Sequence, residues 1–192
     1  FIANGPIRDI SFNKQNKIFY VLAKKLAKLD SVITILDINL NKIKELELEV
    51  TCNSILEINN FVICGSCEGV LKFFDKELNL VNEIKVHKGE ITNIKVDYNK
   101  KIIVTSSYDY YLKIFDINTF ELLGSYKHKA SILSISIHPT KNIIAIGGGH
   151  DKTTIATSAN SGQFDVIMID SITGNKLFDF DSKHFGPVNS VI

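Results

Sequence analysis

With 192 residues, 45% hydrophobic and 22% charged, the chain carries enough apolar side chains for a packed core and too many for a disordered segment. A formal net charge of +1 excludes the strong electrostatic footprint of a nucleic-acid or acidic-membrane binder, and no apolar run approaches the ~18 residues of a membrane helix. Three cysteines, an odd number, point to a reducing compartment such as the cytoplasm rather than to a disulfide framework.

Taken in order, the sequence predicts short strands separated by polar turns. The first unit, residues 5–50, has strand-like runs at 7–12, 17–23, 32–38 and 44–48. Between the second and third runs lies KKLAKLD, whose i, i+3 apolar spacing suits a helix when taken alone. A repeating strand register favours a hairpin connection there instead.

The second unit, residues 51–86, has runs at 54–58, 61–66, 70–74 and 80–86. It contains Cys64-Gly65-Ser66-Cys67, with Cys52 upstream. A structural zinc site needs four ligands, and a redox pair wants its first cysteine at a helix N-terminus. Here the pair ends a strand and Glu68-Gly69 makes the turn, so buried thiols in a reduced core are expected.

The third unit, residues 87–127, has runs at 102–105, 111–115 and 122–126. Its turns are built on Tyr108-Asp109 and on Asp116-Ile117-Asn118-Thr119. In the fourth unit, residues 128–183, a run at 132–138 is followed by a Pro139 turn, a run at 143–146 and a last run at 176–180. A glycine-rich segment from Gly147 to Gly149 and a polar run to Gln163 replace a short turn. Such glycines are able to form an anion nest, but the G-K-[ST] ending and following helix of a phosphate loop are absent. A long connection with glycines supplying positive φ at its base is the simpler reading. Residues 184–192 repeat the start of the chain, with a further strand expected at 188–192.

One step recurs: Leu36-Asp37, Phe74-Asp75, Phe115-Asp116 and Ile169-Asp170. The aspartates are 38, 41 and 54 residues apart, the first two close to the ~40–45-residue period of WD repeats, the third carrying an insertion. The expected fold is all-β, a WD40-type β-propeller with four blades and the first strand of a fifth. The chain opens on Phe1 rather than Met, and a piece of a larger, seven-bladed propeller is expected.

WD repeats often link a His before the first strand of a blade, a Ser or Thr in the second, an Asp in the next turn and a Trp in the third. His87, Ser107, Asp109 and Phe115 fall at those places, with Asp109 expected to accept from the imidazole. The chain has no Trp, so the network is shortened. A His/Asp/Ser trio also suits hydrolysis, but no G-x-S-x-G elbow accompanies it.

The last third is more specific. GGGHDKTTIATSANSGQFDVIMID, followed by HFGPVNSV, resembles the WD-repeat subunit (subunit i) family of eukaryotic translation initiation factor three. That family has a triple-Gly segment, a Thr-rich loop, a Gly-x-Phe step and H-F-G-P-[IV]-N-[ST]-V in this order. The departures are His150-Asp151 after the glycines, an acidic run thinned to Asp179 and Asp181, and His128-Lys129-Ala130-Ser131 after Tyr126-Lys127. The resemblance implies a non-enzymatic cytoplasmic subunit with no catalytic residue, cofactor or metal. Its implied partners are the C-terminal tail of subunit b and the N-terminal segment of subunit g. It would meet the small ribosomal subunit indirectly, with no membrane and no sequence-specific nucleic-acid binding. Candidate partner contacts are Tyr108, Asp109, Tyr110, Lys129 and His150, although tyrosine at a strand edge also serves plain packing. The alternatives are a WD40 scaffold of another cytoplasmic complex, in signalling or RNA processing, and an enzyme, which would need a convergent pocket of titratable groups.

Overall fold

The computed structural model describes residues 3, 5–24, 30–99, 101–149, 165–180 and 186–191. Among these, every regular element is a β-strand. The first sheet is the meander β1 (Ile7–Asn13), β2 (Ile18–Lys24), β3 (Ser31–Leu36) and β4 (Lys42–Leu48). The second is β5 (Cys52–Ile58), β6 (Phe61–Ser66), β7 (Val70–Phe74) and β8 (Leu80–Lys85). The third is β9 (Ile91–Asp97), β10 (Ile102–Ser107), β11 (Tyr111–Asp116) and β12 (Leu122–Lys127). The fourth is β13 (Ile132–Ile137), β14 (Ile143–Gly148), β15 (Val166–Asp170) and β16 (Lys176–Phe180). The chain divides into two compact units, which in place of the four sequence repeats are from here on the first unit, Phe1–Ile91, and the second unit, Thr92–Ile192.

Burial grades across each sheet. The second strands carry little polar surface: β2 reads IFYVLAK and β10, IIVTSS, is buried throughout. Both faces of these strands are covered, which is why they read as continuous apolar runs rather than as alternation. The fourth strands, KIKELEL, LVNEIK, LLGSYK and KLFDF, are mostly exposed. In the first unit Leu22, Ile33, Ile55, Val62 and Phe74 pack into one core drawn from two sheets. In the second, Val104, Leu112, Ile132, Ile135, Ile144, Ile146 and Ile167 form another. Each fully buried aliphatic side chain contributes roughly 1.5–3 kcal/mol.

Each third strand ends at or just before the repeated aspartate, whose side chain builds the next turn. Asp37 Oδ1 accepts the N–H groups of Asn39 and Asn41, both at 2.8 Å. Asp75 does the same for Glu77 at 2.9 Å and Asn79 at 2.8 Å. In the second unit Asp116 Oδ1 accepts from Asn118 at 2.8 Å and Thr119 at 2.9 Å, and Asp170 from Ile172 and Thr173 at 2.8 Å. The turns differ by one residue. In the first pair Leu40 and Leu78 take positive φ and Asn closes the turn; in the second, Phe120 and Gly174 take it, after a Thr. The strand expected over 32–38 stops at Leu36 because Asp37 claims the N–H groups that a longer ladder would use. At His138 the ring does likewise: Nδ1 accepts from Lys141 N–H at 3.0 Å, and β13 stops at Ile137.

Just before each of these aspartates the third and fourth strands slip register by one residue. The residues left out of the pairing, Ile43, Val81, Leu123 and Leu177, are 57%, 50%, 59% and 41% exposed. A bulge turns one aliphatic side chain per sheet outward.

The strand expected at 188–192 does not form over 186–191. Val188 N–H donates to Gly148 O at 3.1 Å and Val191 N–H to Ser134 Oγ at 3.2 Å, so these donors go to the end of the fourth sheet rather than to a ladder of their own. Residues 25–29 of KKLAKLD lie outside the described residues.

Two outcomes follow from the turns. Gly69, between β6 and β7, has φ +76°, and a Cβ there would sit 2.3 Å from His87 O. At Gly124 a Cβ meets nothing within 4 Å. Gly69→Ala is expected to cost on the order of 2 kcal/mol or more in urea unfolding, and Gly124→Ala no more than about 0.5 kcal/mol. The four turn aspartates are held below the usual carboxylate range: Asp37 and Asp75 first by the side-chain amides of Asn41 and Asn79, Asp116 and Asp170 first by backbone N–H donors from Thr119 and Thr173. Because the folded pKa is depressed, their stabilisation is present above the unfolded value of about 3.9 and is lost as pH falls through the folded one. The melting temperature is therefore expected to drop below about pH 4, and the drop to flatten when all four are changed to Asn.

Candidate docking surface

In the second unit a groove of about 490 Å³ runs between β12 and the turn joining β15 to β16. Its floor is Ile102, Ile114 and Tyr126, and its walls are Leu123 and Ile172, 59% and 74% exposed. Leu123 is the side chain that the β12 bulge pushes outward, and Ile172 stands on the turn that Asp170 holds. Gly124 leaves the centre open. Among the described residues none that lines it is charged. β12 is the edge of its sheet, so the groove offers both an apolar channel and a strand edge, the two elements of peptide recognition by edge pairing. Burial raises the Tyr126 hydroxyl above its ordinary range, so the ring enters the groove neutral.

The β10–β11 turn holds three of the candidate contacts. Asp109 N–H donates to Ser107 Oγ at 3.0 Å, and Asp109 Oδ1 accepts from Tyr111 N–H at 3.0 Å. Tyr108 and Tyr110 are 40% and 39% exposed. Tyr110 occupies the place Gly69 has in the β6–β7 turn: φ is +72°, and its carbonyl accepts from His128 N–H at 2.8 Å as Gly69 O does from His87 N–H at 3.0 Å. An aromatic residue in the left-handed region stores strain, which surrounding bonds must hold in place. Lys129 is exposed; Ser131 Oγ donates to Tyr108 O at 3.4 Å, bringing the two segments together. His150 lies outside the described residues. His87, in the first unit, is 2% exposed, and Phe115 is buried at 5%.

The sequence alone does not single out His128 and Asp165. His128 is buried, its Nδ1 accepts Ala130 N–H at 3.2 Å, and its Nε2 lies 3.9 Å from Asp165 Oδ2. Among the described residues neither His128 Nε2 nor Asp165 Oδ1 has a hydrogen-bond partner. A signal existed, because His128 stands 41 residues after His87, one repeat on. The intervening insertion sets Asp165 far from it in sequence.

The two motif segments of the last third meet. Gly147 and Gly148 are in β14 rather than in a nest. A Cβ on Gly147 would press on Val188 Cγ1 at 2.8 Å, and one on Gly148 on Ser131 O at 2.4 Å. The glycines let residues 186–191 lie against the end of the sheet. The thiols of the first unit are free. Burial, with Cys52 beside it, pushes Cys64 well above the thiol range, opposite to what a reactive cysteine needs.

Residues 78–116 and 120–155 match the family described as WD domain, G-beta repeat. The chain is 30% identical over 133 residues to the protein of Kluyveromyces lactis named Eukaryotic translation initiation factor 3 subunit I, covering 68% of this chain and 38% of that one. Proteins of the same name are 28% identical in Anopheles gambiae, over 95% of this chain and 56% of theirs, and 25% identical in Lodderomyces elongisporus, over 97% and 60%. The chain thus spans less than two thirds of the length of these relatives. Among solved structures, a chain of the mitotic checkpoint complex matches with a TM-score of 0.73 at 14% identity, over 99% of this chain and 55% of that one. The computationally designed Ika8 protein matches at 0.65 with 19% identity, over 96% and 64%. These two likenesses are of fold: the chain has the WD40-type β-propeller fold.

Proposed function

We propose that this chain, a WD40-repeat relative of subunit I of eukaryotic translation initiation factor 3, is a non-enzymatic scaffold that holds sister subunits of that complex in the cytoplasm. The observation carrying the reading is the uncharged groove along the β12 edge. A channel with apolar walls suits the side chains of a bound polypeptide segment, and among the described residues its lining offers no carboxylate, histidine or amine for acid–base chemistry. We take its occupant to be the C-terminal tail of subunit b, with the N-terminal segment of subunit g docking elsewhere on the chain. Contact with the small ribosomal subunit is through those partners. The network His87, Ser107, Asp109 and Phe115 is proposed to be structural, and Tyr108, Asp109, Tyr110, Lys129 and His150 to contact partners.

Two experiments test this. Native pull-down with mass spectrometry is expected to recover initiation-factor subunits; a different consistent set would assign the scaffold to another complex. Gly124→Phe, which fills open space in the groove without strain in the backbone, is expected to remove the partner that docks there while leaving the melting temperature at or above that of the parent. Partner binding that survives Gly124→Phe places the docking site elsewhere.

The loop network is tested at Asp109. Asp109→Ala takes the acceptor from Tyr111 N–H and is expected to cost on the order of 1–3 kcal/mol. Asp109→Asn keeps an acceptor and is expected to cost less. Well below the melting temperature both variants should retain partners. Loss of partners by Asp109→Ala at unchanged stability makes Asp109 a docking residue instead.

A further inference from the structure

The first unit has a groove at the equivalent place, between β4 and the turn joining β7 to β8, with a volume of about 410 Å³. Its apolar surface comes from Leu46, Leu48, Val50, Phe74, Leu78 and Leu80. Glu47, Glu49 and Glu68 stand around it, all exposed. Among the described residues of its lining the cation is Lys72, whose ammonium is held by Glu83. The groove in the second unit shares its position in the repeat and is of similar size, yet no described residue lining it is charged. The architecture makes a groove at this place in either unit. The carboxylates are particular to this one.

We infer that this groove is a second docking site, and that it takes a polypeptide segment alternating apolar and basic side chains, laid along β4. The alternation of β4 and the residues after it, Leu46-Glu47-Leu48-Glu49-Val50, supplies the template. A segment paired to the β4 edge would set its apolar side chains beside Leu46 and Leu48 and its lysines or arginines beside Glu47 and Glu49. β4 is the edge of its sheet, so among the described residues its outer side carries no strand. Charge on an edge strand also guards against pairing with chains at random; here it disfavours acidic strands and favours a basic one, which is how one feature serves both ends. This site does not depend on what fills the uncharged groove.

The test uses the full chain and a fluorescein-labelled, acetylated and amidated peptide of four Leu-Lys repeats, with the Leu-Glu peptide as its counterpart. Fluorescence anisotropy is expected to give saturable binding of the Leu-Lys peptide that weakens at least about tenfold between about 50 mM and about 500 mM salt. The triple variant Glu47→Gln/Glu49→Gln/Glu68→Gln should lose at least about tenfold in affinity, whereas Glu121→Gln, on the other unit, should lose nothing. Leu80→Lys, an exposed position, tests the same site by adding a like charge and is expected to weaken binding as well. Circular dichroism melts of each variant report whether the fold is kept. Absence of saturable binding, equal affinity for the Leu-Glu peptide, or unchanged affinity in both folded groove variants would overturn the assignment and leave the glutamates as edge protection only.

Discussion

Each sheet depends on one carboxylate. Where the third strand ends, an aspartate turns its side chain back onto the chain and takes the N–H groups that a longer ladder would have used. Four such aspartates do this with contacts of 2.8–2.9 Å. The turn they hold brings the fourth strand back antiparallel, and the one-residue slip just before the aspartate fixes where that strand's side chains face. The bulge, the exposed aliphatic side chain and the wall of the groove all follow from it. Satisfying donors that would otherwise be orphaned at a strand end is what makes so short a side chain so consequential.

This also explains what was legible from residues alone. The aspartate recurs at fixed spacing because the geometry needs it, so the repeat and the strands Phe61–Ser66, Val70–Phe74 and Lys176–Phe180 stand out. The limits of strands 32–38 and 132–138 did not, since the side chain that stops each one reads locally as part of it. The grooves were hidden for another reason. Leu123 and Ile172 face one channel although 49 residues separate them. What joins them is the packing of two neighbouring sheets, which no local pattern encodes. The turn at Tyr108-Asp109 was visible because polar turns announce themselves, whereas His128 was concealed by the insertion that separates it from Asp165.

The glycines of the last third carry the same lesson from the other side. As a string, Gly147-Gly148-Gly149 suggests an anion-binding loop. In the fold two of the three are strand residues whose missing side chains admit Val188 and the Ser131 carbonyl. The triple-glycine segment and the later Pro-Val-Asn-Ser-Val segment are therefore halves of one contact. Gly147 is explained by Val188 and Gly148 by the Ser131 carbonyl, without a ligand.

Repetition then gives room for difference. The backbone produces a groove at the same place in each unit, between a fourth strand and the next sheet's turn, so the groove itself asks little of the sequence beyond the blade. What varies is the lining: among the described residues, uncharged in one unit and carrying three glutamates and a lysine in the other. Under the proposals, affinity in the first would come from apolar fit, which salt does not screen, and in the second from charge as well, which it does. If both grooves dock polypeptides as proposed, the chain would separate its partners by chemistry rather than by shape, because shape is the part that the repeat holds constant.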